Sequence, residues 1–154
     1  MQIEFELTAE LDPAVLEMLW RDLEQRGPPN FFLSWQWIGG WLREAKLRPW
    51  VLIGRRKSEV VVLAALVASN RVGALAVSSR LDVGPIGIAG VRLHTTGVAE
   101  FDVITIEYNG FLVDAALGQP GEDAALDFLM DEARIDGRAC DAIALRNVSR
   151  RYAT

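Results

Sequence analysis

The chain has 154 residues, 51% of them hydrophobic and 24% charged, a balance typical of one folded domain and not of a disordered chain. Its formal net charge of −5 argues against nucleic acid as a partner, because phosphate binding needs a concentrated basic surface. No apolar run is long enough to cross a bilayer, and the acidic N-terminus is unlike a signal peptide, so we expect a soluble, cytoplasmic protein.

The first part of the chain predicts one strand followed by two helices. The stretch "MQIEFEL" alternates apolar and polar residues, the period of a half-buried strand. Asp12 followed by Pro13 is typical of a helix start, and Ser34 can cap a second helix. Apolar residues at helical spacing indicate the buried faces of the helices: Leu16, Leu19, Trp20 and Leu23 in the first, and Trp35, Ile38 and Leu42 in the second.

Two glycines, Gly39 and Gly40, lie inside the second predicted helix. Each costs about 1 kcal/mol there relative to alanine. Such a pair indicates that another group packs closely against the helix backbone.

The middle of the chain predicts an antiparallel meander of three β-rich runs, at residues 49–56, 59–69 and 71–79. The middle run is uniformly apolar, which favours a strand covered on both faces. Residues 80–90 are rich in glycine and predict a loop or an irregular edge.

The last part of the chain predicts a strand, a helix and a final strand. In chain order we expect a strand over 101–108, a connection over 111–118, a helix from 122 to about 135 and a strand over 141–148. The helix is predicted to turn four apolar side chains inward: Leu126, Leu129, Met130 and Ala133. The whole chain, residues 1–154, then forms one α/β (α+β) domain, a mixed sheet with helices on both faces.

That order of elements resembles the GNAT acyltransferase fold, in which the sheet is mixed and mostly antiparallel. The tryptophan-rich stretch "FFLSWQWIGGWL" is similar to a helix of the FemAB-like acyltransferases, which include the group of the cellulose-biosynthesis protein CelD. The stretches "HTTG", "FDVITIEYNGFL" and "DAIALRNV" fit the same group. Because such proteins have two GNAT-like halves, the resemblance implies that this chain is the N-terminal half of a longer acyltransferase.

The resemblance implies acyl transfer from a CoA-type or other thioester donor to an amine or hydroxyl of a small-molecule substrate. The half alone is expected to be weakly active or inactive, and its partner would be the C-terminal half of its own chain or a second copy in a homo-oligomer. Acetyl-CoA or another acyl-CoA is a possible cofactor that nothing in the sequence firmly implies. GNAT enzymes hold its pyrophosphate on a loop reading Arg/Gln-x-x-Gly-x-Gly/Ala before a helix. Here Gln119 and Gly121 are present without that spacing, and Glu122 and Asp123 place negative charge where the phosphate would lie.

Two residues at the end of the predicted strand 101–108 are the catalytic candidates that the resemblance implies. Glu107 is the candidate general base, and Tyr108 is the candidate general acid that protonates a leaving thiolate. The alternatives are ordinary structural roles. Glu107 would then face water or Arg92, and Tyr108 would bury its ring and satisfy its hydroxyl locally.

The candidate substrate-binding residues lie in two places. His94, Thr95, Thr96 and Asn109 flank the predicted strand, where they can contact a substrate or serve as turn and hydrogen-bonding residues. Trp37 and Trp41, four residues apart on the second helix, can form the wall of a groove or belong to the core.

One cysteine and one histidine limit the remaining chemistry. Cys140 has no partner for an internal disulfide, and neither Cys140 nor His94 lies at a metal-ligand spacing from other ligand residues. We therefore expect a buried, unreactive Cys140 and no metal site. The competing function is a non-catalytic module that binds a substrate or a partner, and a weaker one is a stand-alone acetyltransferase with a degenerate coenzyme loop.

Overall fold

The structure, a computed structural model, describes residues 2–69, 90–95, 109–135 and 137–145. The elements in chain order are β1 (Glu4–Thr8), α1 (Pro13–Arg26), a short 3-10 helix (Phe31–Leu33), α2 (Trp35–Glu44), β2 (Trp50–Arg56), β3 (Glu59–Ser69), β4 (Gly90–Leu93), β5 (Leu112–Val113), α3 (Gln119–Asp131), β6 (Arg134–Ile135), β7 (Arg138–Ala139) and β8 (Ala142–Ala144). The predicted strands over 71–79 and 101–108 lie outside the described residues, as does most of the predicted glycine-rich loop.

The first two helices begin where the sequence predicts. The Asp12 carboxylate accepts a hydrogen bond from the backbone N–H of Ala14 at 2.8 Å, and Pro13 occupies the first turn of α1. The Ser34 hydroxyl accepts from the N–H of Trp37 at 3.3 Å at the start of α2. These side chains satisfy N–H groups that have no partner within the helix.

The main sheet is mixed and mostly antiparallel, with the strand order β1-β2-β3-β4-β8. Every neighbouring pair along it is antiparallel except β4 and β8, which are parallel. The short strand β5 pairs with β3 outside that order. The predicted architecture of the sheet is therefore confirmed.

The helices cover both faces of the sheet, because alternate residues of the central strands enter two different cores. On β3, Leu63 and Ala65 face the core that α1 and α2 close, whereas Val62 and Ala64 face the core that α3 closes. Every residue from Val60 to Leu66 is buried. The prediction that this strand is covered on both faces is confirmed.

Three predictions about the later elements are wrong. Leu112 and Val113 lie in the predicted connection 111–118, yet they form β5 because they pair with Leu63 and Val62. The third helix begins at Gln119 and ends at Asp131, earlier than predicted at both ends. At its end the N–H groups of Glu132 and Ala133 both bind the Phe128 carbonyl, which closes the helix, and Ile135 belongs to the β6–β7 hairpin instead.

The buried face of α3 also differs from the prediction. Gly121, Ala125 and Leu129 are buried at a spacing of four residues, whereas Met130 is half exposed. Each step along a helix rotates the side chain by about 100°, so the residue after the buried Leu129 points away from the core, and that residue is Met130. Ala133 is buried as predicted, although it lies beyond the end of the helix.

Cys140 is buried, as predicted, and its thiol lies 3.4 Å from the Ala142 carbonyl. Burial raises the pKa of the Cys140 thiol, so the reactive thiolate is disfavoured at neutral pH. No helix in the described parts of the chain combines the length and the apolar character that crossing a membrane requires.

The two glycines of α2 give a matched pair of expected results. A Cβ added at Gly39 would lie 2.6 Å from Cε2 of the buried Trp35 ring, whereas one added at Gly40 would meet nothing within 4 Å. Overpacking of this kind lowers the free energy of unfolding by about 1 to 3 kcal/mol. Replacing a helical glycine with alanine, where there is space, raises it by about 1 kcal/mol.

We therefore expect Gly39→Ala to destabilise the fold and Gly40→Ala to stabilise it, and urea unfolding of both variants measures the difference. A stabilising Gly39→Ala would show that the Trp35 ring does not need the glycine backbone beside it.

Candidate functional site at an interrupted strand

The strands β4 and β5 are two halves of one interrupted strand. Both run antiparallel to β3 along the edge that β2 does not occupy, with Leu93 opposite Leu66 and Leu112 opposite Leu63. β4 ends at Leu93 and β5 begins at Leu112. Residues 94–111, the segment that joins the two strands, are called the excursion below, and most of the predicted site residues belong to it.

His94 completes the sheet at the point where the chain leaves it. Its backbone N–H donates to the Ala65 carbonyl, and its ring Nε2 accepts from the Ala65 N–H, each at 3.2 Å. The imidazole therefore takes the place that a strand carbonyl would occupy opposite Ala65. The φ of +50° at His94 belongs to the left-handed region that non-glycine residues rarely adopt.

Asn109 closes the other end of the excursion. Its Oδ1 accepts from Gly110 N–H at 2.9 Å and contacts Nδ1 of His94 at 2.8 Å, and its Nδ2 donates to the Leu93 carbonyl at 2.9 Å. Because a backbone N–H can only donate, Nε2 of His94 carries no proton and Nδ1 is the donor to Asn109. The tautomer of the histidine follows from these contacts.

The histidine is buried with one nitrogen already accepting and the other already donating. Its exposed fraction is 1%, and the Trp20 ring packs edge-on against it with 5.9 Å between centroids. Burial lowers the pKa of His94 from 6.5 to about 4, against an opposing effect of the Asn109 hydrogen bond. A neutral, fully engaged imidazole supports the structural alternative for His94, and for Asn109 with it.

Thr95 differs from its neighbours at the junction. Its side chain is buried at 8% exposure, and its Oγ1 has no hydrogen-bond partner among the described residues. Thr96, Glu107 and Tyr108 lie outside the described residues, so their proposed roles stay predictions. Arg92, the alternative partner of Glu107, is buried on β4.

The two candidate tryptophans of α2 do not form an exposed pair. Trp37 and Trp41 are both half-buried and pack against the core beneath α1 and α2. The Trp37 ring lies 5.3 Å from each of the rings of Phe31 and Phe32, and its buried indole N–H has no partner within the described parts of the chain. A binding role for Trp37 and Trp41 stays a prediction.

The turn after β5 is held by a charged cluster that the sequence did not indicate. The Arg26 guanidinium, at the end of α1, binds the Asp114 carboxylate and also pairs with Asp22 and Glu59. It donates as well to the Val60 carbonyl at 2.8 Å. Arg26 and Asp114 lie 88 positions apart, and in the sequence each resembles an ordinary surface residue. Together they fix the corner between α1, β3 and the approach to α3.

Among the described residues, the sheet has an edge without a partner strand beside β5. Beyond β4 it continues into the parallel strand β8, whereas no strand of the described residues pairs with the outer edge of β5. The chain then passes through a turn into α3, whose first residue follows Gly118 with a φ of +53°. Within the described residues no group of three or more His, Cys, Asp or Glu could hold a metal ion.

The likeness of this fold to solved structures defines its class. No protein-family model matches the sequence, and no curated protein does. The structure is similar to that of a GNAT family acetyltransferase from Staphylococcus aureus subsp. aureus USA300_TCH1516, with a TM-score of 0.50 and 13% sequence identity. The match covers 99% of this chain and 91% of that chain. At this identity the likeness shows the fold alone, and this chain has a GNAT-like fold.

Proposed function

We propose that this domain supports acyl transfer from a thioester donor to an amine or hydroxyl acceptor. The observation that carries the proposal is the division of the fourth strand: β4 has neighbours on both sides, and β5 has a described neighbour only in β3. The pantetheine arm of a thioester carrier is an extended chain with amide groups. Such a chain can form strand-like hydrogen bonds with a free sheet edge.

The candidate catalytic residues belong to the excursion that begins and ends at this sheet edge. In the proposal Glu107 removes a proton from the acceptor and Tyr108 protonates the leaving thiolate. Thr96 and Thr95 would contact the substrate, and the buried Thr95 hydroxyl has no partner in the residues that the structure describes. His94 and Asn109 would act on the substrate only by holding the two ends of the excursion together.

The start of α3 does not fit the pyrophosphate of coenzyme A. Glu122 lies in its first turn, and Asp123 follows and accepts from the Gln119 side chain at 2.9 Å. No basic residue lies within the first seven residues of this helix, Gln119–Ala125. A helix N-terminus attracts phosphate through its amides, and two carboxylates there oppose that attraction. The proposed donor is therefore recognised through its acyl-pantetheine part.

Calorimetric titration with acetyl-CoA and with S-acetylpantetheine tests this proposal. We expect the two thioesters to bind with similar affinity, because the nucleotide and pyrophosphate of acetyl-CoA gain no contact with α3. The double variant Glu122→Gln with Asp123→Asn is the control, since it removes the opposing charge and leaves the sheet edge intact. We expect it to favour acetyl-CoA over S-acetylpantetheine. Absence of binding for both thioesters would contradict the proposal.

We further propose that the domain is the N-terminal half of a longer acyltransferase of the FemAB-like or CelD group. The tryptophan-rich α2 and the order of elements support this proposal. Alternatively, a second copy of the chain in a homo-oligomer would cover the sheet edge beside β5. Sequencing the reading frame beyond Thr154 and measuring the activity of any longer product tests the first possibility, and sedimentation of this chain tests the second.

The alternative function is a non-catalytic module that binds a substrate or a partner. The observation that favours it is that the buried His94 and Asn109 side chains hydrogen-bond to each other and to the backbone. Neither side chain is then available to react with a substrate. Replacing Glu107 with Gln separates the two functions. An acyltransferase loses turnover and keeps its ligand affinity, whereas a binding module has no turnover to lose.

A further inference from the structure

A cavity lies away from the interrupted strand, on the β1 side of the sheet. Its volume is about 890 Å³. One wall is the segment 9–17, from the end of β1 into α1, and the other is formed by the second half of α2 and the loop that leads to β2. Its larger apolar side chains are Leu11, Leu16, Trp35, Leu42, Leu47 and Val51. Ligand sites in proteins have volumes of this order and mostly apolar walls.

Three cations cluster along one wall of the cavity. Arg43, Lys46 and Arg48 lie within six positions of the chain, all three line the cavity, and all three are exposed. None of them forms an ion pair within 4 Å with any residue that the structure describes. The opposite wall of the cavity carries three acids, Glu10, Asp12 and Glu17, so the cations and the acids lie on separate walls.

The acidic residues on the opposite wall are largely occupied elsewhere. Asp12 caps α1, and Glu17 binds Arg21 at 2.8 Å, which lowers the pKa of the Glu17 carboxyl. Glu10 is the acid that remains, and it lies on the exposed loop after β1. Asp12 and Glu17 on the α1 wall thus have partners, whereas the three cations on the other wall have no ion-pair partner within 4 Å among the described residues.

The turn after α2 holds a cation in a conformation that usually belongs to glycine. Lys46 has a φ of +51°, and the bonds from Lys46 N–H to Arg43 O at 3.1 Å and from Leu47 N–H to Leu42 O at 3.0 Å close the helix end around it. Helices commonly end on glycine in this position because a Cβ is disfavoured there. Lys46 therefore lines the cavity at the expense of backbone strain.

We propose that this cavity binds a small organic anion with an apolar body. The two guanidinium groups and the ammonium would hold the anionic group, because arginine matches planar oxyanions with two parallel hydrogen bonds. The apolar body would cover the Leu16, Trp35 and Val51 side chains of the floor. This site is separate from the sheet edge beside β5, and it does not depend on the proposed acyl transfer.

Titration with indole-3-acetate and with its neutral analogue indole-3-acetamide tests the proposal, with calorimetry as the readout. The two probes share the aromatic body and differ by one charge. We expect the acetate to bind saturably, at least about tenfold more tightly than the amide, since charge-assisted hydrogen bonds are the stronger ones. The double variant R43Q with R48Q should lose this preference. Binding that ignores the charge of the probe, absence of saturable binding of the acetate, or a double variant that binds like the natural chain would each overturn the proposal.

Two lysine-to-glycine variants distinguish a loss of binding from a loss of folding. Lys57, in the turn between β2 and β3, has the same φ of +51° as Lys46 and does not line the cavity. Both Lys46→Gly and Lys57→Gly should raise the melting temperature, because both relieve the same strain. We expect Lys46→Gly alone to weaken indole-3-acetate binding. Equal affinities of the two variants would overturn the role of Lys46.

Discussion

Lowering the pH from 7 to 4 is expected to destabilise the fold by about 3 kcal/mol through His94 alone. Burial holds the pKa of His94 at about 4, below its ordinary 6.5, so the unfolded chain takes up a proton before the folded chain does. The stability is therefore complete above pH 6.5, falls by about 1.4 kcal/mol per unit between 6.5 and 4, and stops falling below pH 4. Urea unfolding at intervals between pH 7 and pH 4 measures this slope.

The variant His94→Gln isolates the histidine from other acid-sensitive groups. Its side chain is polar and does not titrate, so the slope between pH 6.5 and pH 4 should be shallower than in the natural chain. We expect His94→Gln to be less stable at pH 7, because it cannot reproduce both ring contacts, to Ala65 and to Asn109. Parallel slopes for the two proteins would show that His94 is not buried in its neutral form.

The second large effect is expected at Asn109. Asn109→Ala removes three hydrogen bonds at a residue with 1% exposure, and it leaves the Leu93 carbonyl, the Gly110 N–H and the His94 Nδ1–H without this partner. Each such group costs about 1 to 3 kcal/mol, so we expect a loss on the order of 4 kcal/mol in the free energy of unfolding. That is a large share of the stability of an ordinary domain. Equilibrium urea unfolding at pH 7 gives the loss directly.

Asn109→Asp is the matched variant, since it keeps the shape and the acceptor oxygen. The second oxygen replaces the donor to the Leu93 carbonyl, so two acceptors would face each other at the 2.9 Å of the present bond. We expect destabilisation at pH 7 and a raised pKa of His94, because a carboxylate favours the charged imidazole. An NMR titration of the His94 ring protons measures that pKa. A His94 pKa unchanged from that of the natural chain would contradict the contact between Nδ1 and residue 109.

Local signals in the sequence predicted the elements that depend on neighbouring residues. Asp12, Pro13 and Ser34 act within one turn of a helix, so their role is visible over four residues of sequence. The alternation in β1 and the uniform apolarity of β3 likewise report the burial of each strand by itself. These elements and the mixed architecture of the sheet are confirmed.

The elements that were mispredicted depend on distant partners. Leu112 and Val113 form a strand of two residues, too short for any alternation, and they pair only because β3 lies beside them. The sequence does not show the interrupted strand for the same reason, because Asn109 hydrogen-bonds to His94 and Leu93, which lie 15 and 16 positions away. The sequence did select His94 to Gly110 as the region of interest, without showing that its ends meet. The roles of Glu107 and Tyr108 stay predictions.

The hydrogen bonds of His94 and Asn109 tie the two ends of the excursion together inside the core. The ends of this segment are therefore joined by residues at its base, whatever the length of chain between them. Doubling the length of such a segment adds only about 0.6 kcal/mol of closure entropy. Insertions between Thr95 and Asn109 should therefore add little to the cost of joining the two ends, so the length of this segment can change during evolution while the contacts at its base persist.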